Sequence, residues 1–186
     1  MILKSMKGFS LLEVLISMVI IAIGLLGMAA LQVKSQQAEL ESYQRAQALL
    51  LLQEMYKRMN NNRRAINCYL TANTGNAYVG NGVEPSDVSG CGDSQVARDV
   101  ADEDFSDWDD LLDGASETFA GNNVGAMIGA RGCITSVGDI YTISVAWQGL
   151  TDTVTPANNC GSGLYGVDEN KRRVASLSLR IADLNN

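Results

Sequence analysis

Between Lys7 and Lys34 the only charged group is the carboxylate of Glu13, and Val14 to Leu31 carries no charge at all. Phe9 to Leu31 is 23 residues. As a helix that is about 35 Å, longer than the roughly 30 Å hydrocarbon core of a bilayer, so the segment is expected to span a membrane. Lys4 and Lys7 precede it. The positive-inside rule keeps such a leader cytoplasmic and puts everything after Lys34 on the far side. A carboxylate inside an apolar span costs about 2.5–3.5 kcal/mol on insertion scales, so Glu13 calls for a purpose.

Three ordinary readings compete. A cleaved secretory signal has an apolar region of about 7–15 residues ending in small residues, and Ala29 or Ala30 would serve, but this run is longer and contains an acid. A plain anchor leaves Gly8-Phe9 and Glu13 unexplained. A snorkelling Glu13 near the membrane face is compatible with a further role.

The stretch Gly8-Phe9-Ser10-Leu11-Leu12-Glu13 followed by the long apolar run resembles the class III signal of type IV pilins and the related secretion pseudopilins. The resemblance implies that a prepilin peptidase cuts between Gly8 and Phe9, that Phe9 becomes the N-methylated mature terminus, and that Glu13 is the assembly carboxylate. A narrower resemblance, over Ile23-Gly24-Leu25-Leu26-Gly27-Met28-Ala29-Ala30-Leu31-Gln32, is to the PilV class of minor pilins.

Fourteen Lys and Arg against 21 Asp and Glu give a net charge of −7, and loss of Lys4 and Lys7 with the leader lowers it to −9. Nucleic acid is not an expected partner, because backbone binding needs clustered cations. The chain has no histidine. That removes Ser-His-Asp and Cys-His arrangements and imidazole metal ligands, so no enzyme of those kinds, no metal and no cofactor is expected.

Cys68, Cys91, Cys133 and Cys160 all follow the apolar run, and none forms a CxxC pair. An exported compartment favours two disulfides, with three possible connectivities. The sequential pairing Cys68–Cys91 and Cys133–Cys160 is expected, because each bond closes a Gly/Asn-rich loop with few apolar residues. Each such bond stabilises by about 3 kcal/mol.

Beyond Leu31 the helical signal turns amphipathic. Leu40, Ala48, Leu51, Leu52, Met55, Tyr56 and Met59 share one side, while Gln47, Glu54, Lys57 and Arg58 lie mostly on the other. Neither Gly nor Pro occurs between Met28 and Met59, so one helix is expected over 9–60. Gly24 and Gly27 fit either local loosening or close helix packing. Many major pilins have a helix-breaking proline here; this chain has none before Pro85.

Residues 61–132 read as an irregular connecting region, with a short amphipathic helix near 105–113 capped by Ser106 and facing inward through Phe105, Trp108, Leu111 and Leu112. Between Glu84 and Glu117 stand twelve acids against Arg98 alone. Calcium is one reading of that density, but the EF-hand spacing is missing, and a solvated acidic face is the expectation. In 133–186, Tyr141, Ile143, Val145 and Trp147 alternate with polar or small residues, as do Ala175, Leu177, Leu179 and Ile181. A strand over Cys133–Val137, turning at Gly138-Asp139, completes an antiparallel sheet of at least three strands, each with one buried face.

The expected architecture is α+β and type IV pilin-like: a 1–8 leader, a 9–60 helix with 9–31 in the membrane, a 61–132 connecting region and a 133–186 sheet. The resemblance implies a non-enzymatic subunit. It is held in the inner membrane with its head in the periplasm, processed by the prepilin peptidase, then joined to other minor pilins and the major pilin in a fibre or tip complex supporting pilus assembly and twitching motility. A minor pseudopilin of a type II secretion system shares the same leader, helix and head. An adhesin using the 61–132 region is the reading from another class.

Overall fold

The computed structural model describes residues 8–91, 94–115, 118–123, 125 and 127–180. They fall into two compact units, divided between Leu40 and Glu41. The leader lysines Lys4 and Lys7, the acid Glu117 and the strand-end Ile181 lie outside the described residues.

Helix α1 is Leu11–Asn61. It starts where Ser10 offers its hydroxyl to the Leu12 N–H (3.3 Å) and its carbonyl to the Glu13 N–H (3.0 Å), satisfying two donors that a helix start leaves open. In the C-terminal unit, its buried stripe is Gln44, Ala48, Leu52, Met55 and Met59, spaced four, four, three and four residues. The expected stripe was wider: Leu40 and Tyr56 are exposed and Leu51 is only half-buried. At 100° per residue the buried seam is only about 80° wide, and Leu51, Leu40 and Tyr56 fall just outside its margins, so they stay partly or largely wet.

Two short 3₁₀ helices, Arg63–Tyr69 and Thr71–Thr74, follow. Helix α2 is Gln95–Leu112, capped by Ser94, whose side chain accepts from the Ala97 N–H. This corrects the short helix expected at 105–113. Ser106 is an exposed mid-helix residue, and the buried face runs Ala101, Phe105, Trp108, Asp109, Leu112. The extra first turns, nearly three of them, were hidden because Ala101 is a weak hydrophobic signal among many acids. Strands β1 (Thr118–Phe119) and β2 (Asn122–Asn123) form a small antiparallel hairpin inside the region expected to be irregular.

The main sheet has the order β3-β4-β5, all antiparallel, with β3 Arg131–Val137, β4 Ile140–Gln148 and β5 Arg172–Arg180. β3 and β4 turn at Gly138-Asp139, where Gly138 has φ +59°. The inward row Tyr141, Ile143, Val145 and Trp147 meets Leu52, Met55 and Met59 of α1 and Phe105, Trp108 and Leu112 of α2 in one core. β4 departs from the expected single buried face, since Ser144 and Ala146 on its outer side are also buried. The chain around Cys160 and Tyr165 crosses that side and packs with Cys133 and Ala146 in a second, smaller core.

Both disulfides are present: Cys68–Cys91 and Cys133–Cys160. Gly132 is where three elements converge. A Cβ there would run into the Trp108 ring and come within 2.8 Å of Leu112 Cδ1, so glycine is required for β3 to pass under α2.

Candidate functional site

In the N-terminal unit, Gly8, Phe9 and Ser10 precede the helix, and Phe9 is 84% exposed. Glu13 lies in the first turn of α1, where a carboxylate suits the positive end of the helix dipole. Its carboxylate has no hydrogen-bond or ion-pair partner among the described residues; only its main chain is engaged, the N–H donating to the Ser10 carbonyl (3.0 Å) and the carbonyl accepting from the Ser17 hydroxyl (2.7 Å). Around it the surface is apolar. Leu11, Leu12, Ile16, Ile20, Leu25 and Leu31 are among a long series of exposed large hydrophobic residues. α1 is long and apolar enough to cross a membrane, and no residue of its apolar window is buried. A Cβ at Gly24 or Gly27 would meet nothing within 4 Å, so neither glycine serves packing within the chain.

In the C-terminal unit the charged residues hold the fold together. Arg58 of α1 bonds Glu54 (3.2 Å), Asp104 (2.9 Å) and Asp107 (2.8 Å), and Asp104 also accepts from the Tyr69 hydroxyl. Burial, reinforced by Asp104, drives the Tyr69 phenol well above its ordinary value. Asp109 accepts from Gly80 N, Asp113 from the Asn81 and Gly82 N–H groups, and Asp102 from Val88 N. The acidic segment was expected to be a solvated face. Five of its carboxylates, Asp102, Asp104, Asp107, Asp109 and Asp113, instead stitch the 80–88 loop and α1 to α2, because a tight turn such as Gly80-Asn81-Gly82 exposes N–H groups that need acceptors.

Glu41 works in the same way at the start of this unit. One oxygen, Oε1, accepts from Leu150 N (3.0 Å), Thr151 N (2.9 Å), Thr151 Oγ1 (2.8 Å) and Arg173 Nη2 (3.3 Å). Burial pushes this carboxyl up, but the Thr151 hydrogen bonds and Arg173 outweigh it and hold the group below its ordinary value. None of these side chains was singled out for such a role from sequence. The available signals were the i, i+4 pair Asp109/Asp113 on one helix face and the glycine turn that it serves.

The arrangement suits assembly rather than bond-making chemistry. Among the described residues no group of three or more His, Cys, Asp or Glu is placed to hold a metal. The N-terminal half of α1 presents a long exposed apolar surface with one carboxylate near its start that has no partner among the described residues. Outside a lipid bilayer, so large an apolar surface marks a site for other proteins.

Residues 3–29 match the family model of the prokaryotic N-terminal methylation motif, and residues 30–105 match that of type IV pilin Tt1218. No curated protein and no solved structure matches the chain. The methylation motif implies processing by a prepilin peptidase and assembly with other pilins, and pilins are structural subunits rather than enzymes. Contiguous matches from residue 3 to residue 105, over an apolar helix that leads into an α+β head, make this chain a type IV pilin.

Proposed function

We propose that the chain is a minor pilin of a type IV pilus. It is inserted in the inner membrane with its head in the periplasm, cut by the prepilin peptidase between Gly8 and Phe9, N-methylated at Phe9, and incorporated beside other minor pilins and the major pilin. It supports pilus assembly and twitching motility, from the fibre or from a tip or priming complex. The observation that carries this reading is the Glu13 carboxylate, which is unpaired at the start of an apolar helix with no buried residue in its membrane-length window. In a desolvated filament core a lone carboxylate is costly and a cation beside it relieves the cost. The mature amino group of Phe9 on an adjoining subunit is that cation.

Cleavage after Gly8 leaves 178 of the 186 residues, so mass spectrometry of native protein should find a methylated N-terminus at Phe9. A Gly8→Leu change should leave the precursor uncut, whereas an N-terminus near Leu31 would replace this reading with an ordinary secretory signal. The assembly step is tested with Glu13→Ala, which should insert, be cleaved and fold its head. Leaving one partner of a desolvated charge pair alone costs about 3–5 kcal/mol, so its content in sheared pili should fall 100-fold or more relative to the processed form in membranes. Normal incorporation rejects Glu13 as the docking determinant. Deletion of the gene should reduce piliation and twitching.

A further inference from the structure

The two edges of the sheet are finished differently. On β3, Gly132 exchanges both backbone bonds with Val79 (3.0 and 2.8 Å), and the Ile134 N–H and carbonyl are both taken by the Thr71 hydroxyl. That edge is closed at Gly132 and Ile134. It also fixes which residues face which way, because in an antiparallel ladder a residue's N–H and C=O point to the same side. Gly132 and Ile134 point outward, so Cys133 and Thr135 pair with Ser144 and Thr142 of β4. Tyr141, Ile143, Val145 and Trp147 must then bond β5 through Leu179, Leu177, Ala175 and Arg173.

On β5 this leaves Val174, Ser176, Ser178 and Arg180 with N–H and C=O directed away from the sheet, and none of these backbone groups has a partner among the described residues. Ser176, Ser178 and Arg180 are exposed. The strand has no Pro, Gly or bulge to discourage pairing, and Arg180 is the one charged residue among its exposed edge positions. We propose that this edge of β5 is a strand-addition surface, and that its occupant is an extended segment of a neighbouring, different pilin.

Charge selects that occupant over a second copy. Pairing two β5 strands antiparallel about Ser176, the strand centre, would set Arg180 opposite Arg172, which is buried and already ion-paired with Glu169 (2.6 Å), so a second β5 strand offers Arg180 no free carboxylate. Arg180 is held only by Asp139 at 3.6 Å, with both side chains mostly in solvent, so its guanidinium is available. The complementary strand therefore carries small or hydroxyl residues opposite Ser176 and Ser178 and a carboxylate within reach of Arg180. Main-chain bonds provide affinity in this mode and the alternate side chains provide selectivity.

This inference rests on the proposed minor-pilin function, and the full-length chain in cells separates the two. Ser178→Pro removes one outward N–H and puts a ring on the edge while sparing the β4 ladder; Ser178→Ala removes only the hydroxyl. Ser178→Pro should keep its processed, disulfide-bonded level but recover at least tenfold less of the other pilins from solubilised membranes, and Ser178→Ala should recover them normally. A photo-crosslinking residue at Ser178 in the otherwise unchanged chain should join to an extended segment of another pilin, which decides the matter even if the proline variant misfolds. Capture of other pilins by the natural chain with no loss in Ser178→Pro, or adducts only to a second copy, overturns the edge proposal alone. No capture of any pilin by the natural chain, and no pilin adduct at Ser178, overturns both.

Discussion

The Asp109 carboxylate on α2 accepts a hydrogen bond from the backbone N–H of Gly80, and the residue is buried. Burial, followed by the nearby charges of Asp113, Glu84 and Asp110, pushes its carboxyl up to about 6 against the Gly80 hydrogen bond that pulls it down. A carboxyl raised in the folded state adds stability that is fully present below its ordinary value near 3.8 and is lost as pH rises through about 6.

Asp109→Asn keeps an acceptor for Gly80 without the charge. The variant should therefore equal or exceed the parent at pH 7.5, by about 1–2 kcal/mol, and the difference should shrink toward pH 4. Denaturant titrations followed by tryptophan emission, with Trp108 one residue away, measure it. A variant less stable than the parent at pH 7.5 would show that the ionised carboxylate is worth more to Gly80 than its burial costs.

Glu41 has the opposite sign. Its carboxyl is held below the ordinary value, so the stability it supplies is present above pH 4.5 and declines as pH falls below it. Glu41→Ala leaves the Leu150 and Thr151 N–H groups and Arg173 without this acceptor and should cost about 1–3 kcal/mol. Limited proteolysis should locate the loosening at Leu150–Thr153, with the β4–β5 ladder still protected from hydrogen exchange.

The two disulfides should be recovered as Cys68–Cys91 and Cys133–Cys160 peptides under non-reducing conditions. Replacing Cys133 and Cys160 by Ala should cost about 2–5 kcal/mol, because that bond holds the 150–171 chain over the outer face of β4. Recovery of a Cys68–Cys160 peptide would contradict this pairing.

Gly132→Ala should be far more damaging than its size suggests. The added carbon meets the enclosed Trp108 ring and Leu112, and overpacking of this kind costs about 1–3 kcal/mol or more. Gly24→Ala, which meets nothing within the chain, should leave head stability unchanged, so any effect must come from contacts with other subunits. Thermal melts of the two variants in detergent make the comparison.

What this chain is was already legible in the one-dimensional pattern. An uncharged run of membrane length, a single acid near its start and the Gly8-Phe9 junction are local features, and α1 runs unbroken over Leu11–Asn61 with no proline, its two glycines, Gly24 and Gly27, not being enough to end it. The strands of the sheet were equally visible, since period-two alternation directly reflects a pleated surface with one face in the core. The rest depended on partners far apart in sequence. Asp109 reads as one more surface acid until Gly80, 29 residues earlier, brings its N–H to it, and Ala146 reads as an outward residue until Cys160 carries its loop across the sheet. The start of α2 at Ser94 was missed for a related reason. Its first turns bury little beyond Ala101, so their helical state is set by the tertiary bonds of Asp102 and Asp104 to Val88, Arg58 and Tyr69 rather than by a local hydrophobic period.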